Sequence, residues 1–331
     1  MSSATSQEGH GWQRLALSTN GLLVVLLMAA TAVFALLIGE RFLSAATLRS
    51  MAFQLPELGI LSLAMMVTLL KGGLNLSIIA TANLTALTIA YVLQATMPGA
   101  EGFAWIAWQV VAIACGLLVA LAIGLVNGTV IAYLGVSPIL ATLGTMTLVE
   151  GLSIGLTRGG VISGFPDTIV YIGNGTLLGV PFGIFVFLAC AIPLAVWLRH
   201  TPSGNAIYLI GSNERAARFS GIDTRAVMLK VYVLSALLAA VAGIVMMARF
   251  NSANASYGES YLLVTILACV LGGVDPFGGF GRVAGLVLAL VLLQVISSAF
   301  NLLGLSQFLT LAIWGGILIG ATALMLRLGR R

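Results

Sequence analysis

The side chains in this 331-residue sequence that could do chemistry are few, and they do not assemble into a catalytic set. His10 and His200, the two histidines, stand far apart at the edges of apolar runs. No His-Glu-x-x-His zinc motif and no Gly-x-Ser-x-Gly nucleophile motif occurs. Cys115, Cys190 and Cys269 each lie alone inside an apolar run, where a small buried side chain is the ordinary role. No disulfide framework, metal site or cofactor is expected. Neither of the two lysines, Lys71 and Lys230, closes a Gly-x-x-x-x-Gly-Lys-Ser/Thr phosphate loop. The chain reads as a non-enzyme, and any energy it uses has to come from a partner or an ion gradient.

What remains is a set of polar groups in apolar surroundings. Lys71-Gly72-Gly73-Leu74-Asn75-Leu76-Ser77 is a glycine-rich turn between two apolar runs. That segment, with Asn75 and Ser77, reads either as a tight turn between two helices or as a pathway-lining turn; Asn83 either bonds across to a neighbouring helix or lines the same path, and Asn127 is a further pathway residue. Glu150, in Thr147-Leu148-Val149-Glu150-Gly151-Leu152, is the most pointed case. An acidic residue at mid-membrane costs about 2.5–3.5 kcal/mol. It is expected to pair with Arg158, to face solute, or to sit at the headgroup level, and it is the candidate for a membrane-embedded ion carrier.

A third feature is charged and outside the apolar runs. In Gly211-Ser212-Asn213-Glu214-Arg215-Ala216-Ala217-Arg218-Phe219-Ser220-Gly221-Ile222, Ser212 or Asn213 can cap a short helix with Glu214 in its first turn. Gly221 is a natural stop. Arg215 and Arg218 share a face, and Ala216, Ala217 and Phe219 offer a small apolar patch. The segment is either a solvated connection or a helix that docks on a partner protein.

The elements that position these groups follow from composition. The chain is 60% hydrophobic and 8% charged, against about 25% charged for a soluble domain, so most of it must face lipid. A spanning helix takes about 20 apolar residues. Runs of that kind lie near 21–39, 53–70, 76–95, 105–134, 138–156, 182–198, 227–249, 260–273, 283–303 and 307–326. The expectation is an all-α integral membrane protein of about ten transmembrane helices. The run at 21–39 is too long for a signal-peptide core and reads as a retained helix. The fourth run is long enough to tilt. The eighth is short and ends at Gly272-Gly273, as spans that border a cavity often do.

With the N-terminus cytoplasmic, Arg14, Lys71, Arg199, Arg215, Arg218, Arg225, Lys230, Arg282, Arg327, Arg330 and Arg331 fall inside. Arg41, Arg49, Arg158 and Arg249 fall outside, a split of eleven to four. Both termini are thus expected in the cytoplasm of a multi-pass inner-membrane protein. The parts are an N-terminal segment 1–20, a transmembrane domain 21–326 with a cytoplasmic loop 199–226, and a tail 327–331. The net charge of +5 sits at the ends of apolar runs and forms no basic stripe, so no nucleic-acid partner is expected.

The segment 211–222 resembles the cytoplasmic signature Gly-x-Asn-Glu-x-Ala-Ala-x-x-Ser-Gly-Ile of the ribose-type sugar permeases of ABC importers, and keeps every position of it. Residues 128–146, 271–281 and 301–304 are similar to that family as well, in the same order, over roughly 55–325. The resemblance implies a fold like that of type II importer permeases and a coupling helix formed by Gly211, Asn213, Glu214, Arg215, Ala216, Ala217, Arg218, Ser220 and Gly221. It further implies an ABC ATPase subunit, a periplasmic solute-binding protein, a second permease copy or paralogue, and a sugar-like solute that crosses the membrane. Two places depart from the pattern. Asn75 and Ile78-Ile79 stand where the family has Asp and Val-Gly, and Glu150 stands where it often has Arg. The alternatives are a nucleoside permease of the same superfamily and a secondary transporter driven by an ion gradient.

Overall fold

A computed structural model describes residues 19–328. The expected terminal segments, 1–20 and 327–331, lie outside the described residues except for 19–20 and 327–328. All ten apolar runs are helices. They are α1 (Thr19–Ile38), α2 (Ala45–Leu70), α3 (Ile78–Thr96), α4 (Gly102–Ala132), α5 (Pro138–Thr157), α7 (Phe182–His200), α10 (Thr224–Phe250), α11 (Tyr261–Leu271), α12 (Val283–Leu302) and α13 (Gln307–Leu328). Three further helices lie in the loops: α6 (Asp167–Asn174), α8 (Pro202–Ser212) and α9 (Glu214–Phe219). Among the described residues, eight helices are long and apolar enough to cross a membrane. With 11 residues, α11 extends only about 16 Å at 1.5 Å per residue.

Helix α2 is the centre of the assembly. From Gly59 to Leu70 its residues are buried, and α7, α10, α11 and α12 pack around it. Ser44 caps its start by accepting from Thr47 N. Helices α3, α4 and α10 form a second layer, with α5 against α3 and α4. Glycine permits the closest crossings: a Cβ on Gly243 of α10 would lie 2.3 Å from Ala82 O of α3.

The helix ends fall into two groups. At one end the turn 71–77, the start of α5, helices α8 and α9, and the hairpin 272–282 come together. At the other, β1 (Ile162–Ser163) pairs antiparallel with β4 (Ser252–Ala253), and Asn174 Nδ2 donates to the carbonyls of Ala248 and Arg249. The loop 157–181 is thus an ordered cap, with α6 and the hairpin of β2 (Thr176–Leu177) and β3 (Val180–Pro181). These groups are the ones the charge argument assigns to opposite sides of the membrane.

Candidate functional site

The short helix α9 is built as its sequence demands. Asn213 caps it by accepting from Ala216 N at 3.0 Å, Glu214 is in the first turn and Arg218 in the last, and Gly221 ends it at φ +83°. Glu214, Arg215, Ala216, Arg218 and Ser220 are exposed, and Phe219 is 93% exposed. Ala217 corrects the expected apolar patch. It is buried in the main core and roots the helix there, leaving Phe219 as the large apolar side chain on the surface. Helix α8, unforeseen, precedes α9: Thr201 caps it by accepting from Gly204 N and Pro202 opens it, and Ile207 and Ile210 face the core.

Gly211 also differs from an exposed contact. A Cβ there would lie 2.1 Å from Leu70 O and 2.4 Å from Gly279 N. On Gly278 one would lie 2.9 Å from the Gly211 Cα, and on Gly72 2.7 Å from Phe277 O. Gly279 N donates to Leu70 O at 2.9 Å. Four glycines thus let the end of α2, the end of α8 and the 272–282 hairpin touch backbone to backbone, directly beneath α9. Lys71 lies in this junction, and burial pulls its ammonium below the usual lysine range while Glu214 opposes that shift.

Asn75, Ser77 and Asn127 meet in one buried network. Asn75 Oδ1 accepts from Ser77 Oγ at 2.7 Å and from Ser77 N at 3.1 Å, and Asn75 Nδ2 donates to Ser235 Oγ at 2.9 Å. Asn127 Nδ2 donates to Ser77 Oγ at 2.9 Å, and Asn127 Oδ1 accepts from Thr145 Oγ1 at 2.7 Å. The turn after α2 is thereby tied to α4, α5 and α10. In this conformation these groups face protein, and an amide in place of the family's aspartate suits a network that needs a donor as well as an acceptor. Asn83 is apart from them: its Nδ2 holds the carbonyls of Ala255 and Tyr257, at the opposite helix ends.

Glu150 is separate again. It is half-exposed on α5, and no ion pair joins it to Arg158, which is exposed in the left-handed position that ends that helix. Thr147, Gly151 and Leu152 beside it are exposed, and a Cβ on Gly144, Gly151 or Gly155 would meet nothing within 4 Å. One side of α5 is therefore open along its length.

The buried carboxylate is instead Glu57, about 20 Å along α2 from Leu70 at 1.5 Å per residue. It is fully buried. Among the described residues its contact with Arg249, 2.5 Å from Nη1 to Oε1, is the one ion pair, and Tyr261 Oη donates to the same oxygen at 2.6 Å. Glu57 Oε2 has no partner. The pair joins α2 to the end of α10 and the start of α11. The available signal was the charge itself, in Leu55-Pro56-Glu57-Leu58 within the second apolar run.

Comparison with known proteins gives these features a context. The family described as "Branched-chain amino acid transport system / permease component" matches residues 47–322. The Autoinducer 2 import system permease protein LsrD of Yersinia enterocolitica is 31% identical over 268 residues, 79% of this chain and 78% of that protein. LsrD of Photorhabdus temperata is 32% identical over the same shares, and that of Photorhabdus luminescens 31%. No solved structure matches the chain. With ten apolar helices, a matched span that takes in all of them but α1, the very start of α2 and the end of α13, and no phosphate loop of its own, the chain belongs to this permease-component family, among the sugar-type permeases of ABC importers.

Proposed function

We propose that this permease moves a sugar or sugar-like solute across the inner membrane, with both termini cytoplasmic, and that α9 is the helix on which an ABC ATPase subunit docks. The observation that carries the reading is the construction of α9. It is capped at both ends, rooted by the buried Ala217, and turns Glu214, Arg215 and Arg218 outward. A connecting loop needs none of these features. The relatives are named for import of autoinducer 2, which supports a small solute. A periplasmic binding protein delivers it and supplies most of the selectivity, because few polar groups are available along the membrane path.

The solute path runs along the open side of α5, past Thr147 and Glu150. A carboxylate there is costly against lipid, which favours a water-filled cleft between this chain and a second permease, a copy or a paralogue. The junction of Gly72, Gly211, Gly278 and Gly279 beneath α9 passes movement of the ATPase to α2, and the Asn75 network carries it to α5.

Two measurements test this. Arg215→Glu should leave the permease inserted but weaken its co-purification with the ATPase; unchanged association and unchanged transport would remove α9 from the interface. Uptake in vesicles supplied with ATP should survive collapse of the ion gradients by ionophore. Loss of uptake would favour a gradient-driven transporter with Glu57 or Glu150 as the carrier.

A further inference from the structure

A cavity of about 480 Å³ opens where α7 ends and α12 begins. Its polar lining comes from Arg199, Asn205, Tyr208 and Arg282, and its apolar lining includes Phe280 and Ala284. No carboxylate lines it. Neither arginine is in an ion pair among the described residues. The Tyr208 hydroxyl donates to Gly281 O at 3.0 Å and so fixes the turn that presents Arg282. Helix α12 starts at this wall without a side-chain cap, so its first backbone N–H groups, at Val283 and Ala284, take no side-chain partner and suit negative charge. Topology accounts for arginines at helix ends; it does not account for a cavity between two of them with an uncapped helix start in its wall.

The location narrows the ligand. The cavity lies at the ends of two helices long enough to span, which is the level of lipid headgroups. From Arg199 an exposed apolar stripe runs back along α7 through Val196, Ile192, Leu188 and Phe185, at the three- and four-residue spacing of one helix face. Phe280, 68% exposed, adds an apolar ring to the cavity wall.

We propose that this cavity binds the phosphate headgroup of an anionic phospholipid between Arg199 and Arg282, with an acyl chain along the Val196–Ile192–Leu188 stripe. A planar guanidinium can hold two phosphate oxygens at once, and basic pockets between spanning helices are suited to such headgroups. A soluble phosphate would use the cavity alone, so a variant on the stripe separates the two ligands. The site shares Gly279 with the junction beneath α9 but none of the side chains assigned to the solute path.

The test is native mass spectrometry of the permease complex released from nanodiscs of phosphatidylcholine containing phosphatidylglycerol. The wild type should retain phosphatidylglycerol in preference to phosphatidylcholine. Arg199→Gln and Arg282→Gln should each lower that retention about fivefold, and the pair about 25-fold. Replacing both by lysine should keep most of it, which separates loss of charge from loss of fold. Ile192→Asn, on the exposed stripe, should lower retention without touching the cavity. Arg158→Gln, at the opposite helix ends, should leave it unchanged. Equal retention in the wild type and the double glutamine variant would overturn the proposal, as would an equal loss in Arg158→Gln. Displacement of the lipid by millimolar inorganic phosphate would overturn the lipid assignment in favour of a soluble anion.

Discussion

At its Leu70 end helix α2 touches the rest of the molecule backbone to backbone, whereas at Glu57 it is tied by a buried charge. The first contact depends on the absence of side chains at Gly72, Gly211, Gly278 and Gly279. It has no slack, so a movement of one segment has to be followed by the others. The second contact is a carboxylate shared by Arg249 and Tyr261 with one oxygen left over. Such a pair is poor evidence of stability, since desolvation offsets most of the attraction, but it penalises every arrangement in which the partners separate. One end is suited to transmitting displacement and the other to holding three helices in a single arrangement.

The largest expected effect breaks the charged end. Arg249→Met leaves Glu57 buried without a counter-charge, at a cost of about 3–5 kcal/mol, read as a fall in the thermal stability of the detergent-purified permease. Combining it with Glu57→Leu should recover most of the loss, because the pair is then replaced by apolar contact. A double variant no more stable than Arg249→Met would show that the arginine acts through packing instead.

The glycine end should be less costly in stability and more costly in coupling. Gly211→Ala forces a methyl against Leu70 O, an overpacking of about 1–3 kcal/mol, and should uncouple ATP hydrolysis from transport in the assembled importer. Gly144→Ala, into open space, should stay within about 0.5 kcal/mol of wild type by the same thermal assay. Equal effects at the two glycines would deny the junction a special role. Next comes the network around the turn that follows Leu70. Asn75→Leu removes the acceptor of the Ser77 hydroxyl and N–H, which stay buried, and should cost about 1–3 kcal/mol; a variant as stable as wild type would show that water replaces the amide.

These contacts also mark where the sequence stops being readable. All ten apolar helices were visible, and eight of them among the described residues are long enough to cross, because lipid imposes one requirement, apolarity over a fixed length, that needs no knowledge of neighbours. The α9 cap and stop were visible because Asn213 and Gly221 act within one turn. The burial of Ala217 was not, since periodicity over six residues does not say which side meets the core. The partners of Asn75 come from segments remote in the chain, and only packing brings Ser235 and Asn127 to it. Glu57 was visible as a charge in an apolar run, but nothing local identified Arg249 and Tyr261 as its partners. The four-glycine junction was legible only as separate turns, because a close approach belongs to two segments at once.

The smallest effect on stability, and the one that sharpens the contrast between an embedded and an exposed carboxylate, is expected at Glu150. This side chain is half-exposed on the open side of α5 and has no ion-pair partner among the described residues. Glu150→Gln keeps its shape and removes a charge that the fold does not use, so thermal stability should change by less than about 0.5 kcal/mol. Solute uptake by the assembled importer should nevertheless fall, with the binding protein's affinity and ATPase association unchanged, if the cleft along α5 carries the solute. Arg158 supplies the control. It ends the same helix but does not reach Glu150, so Arg158→Gln should leave uptake at the wild-type level, and the double variant should match Glu150→Gln alone. A similar defect in both single variants, with a double that costs less than their sum, would mean that the two side chains meet when the cleft opens. Wild-type uptake in Glu150→Gln would move the solute path off this side of α5, most directly to the glycine-broken segment at 272–281.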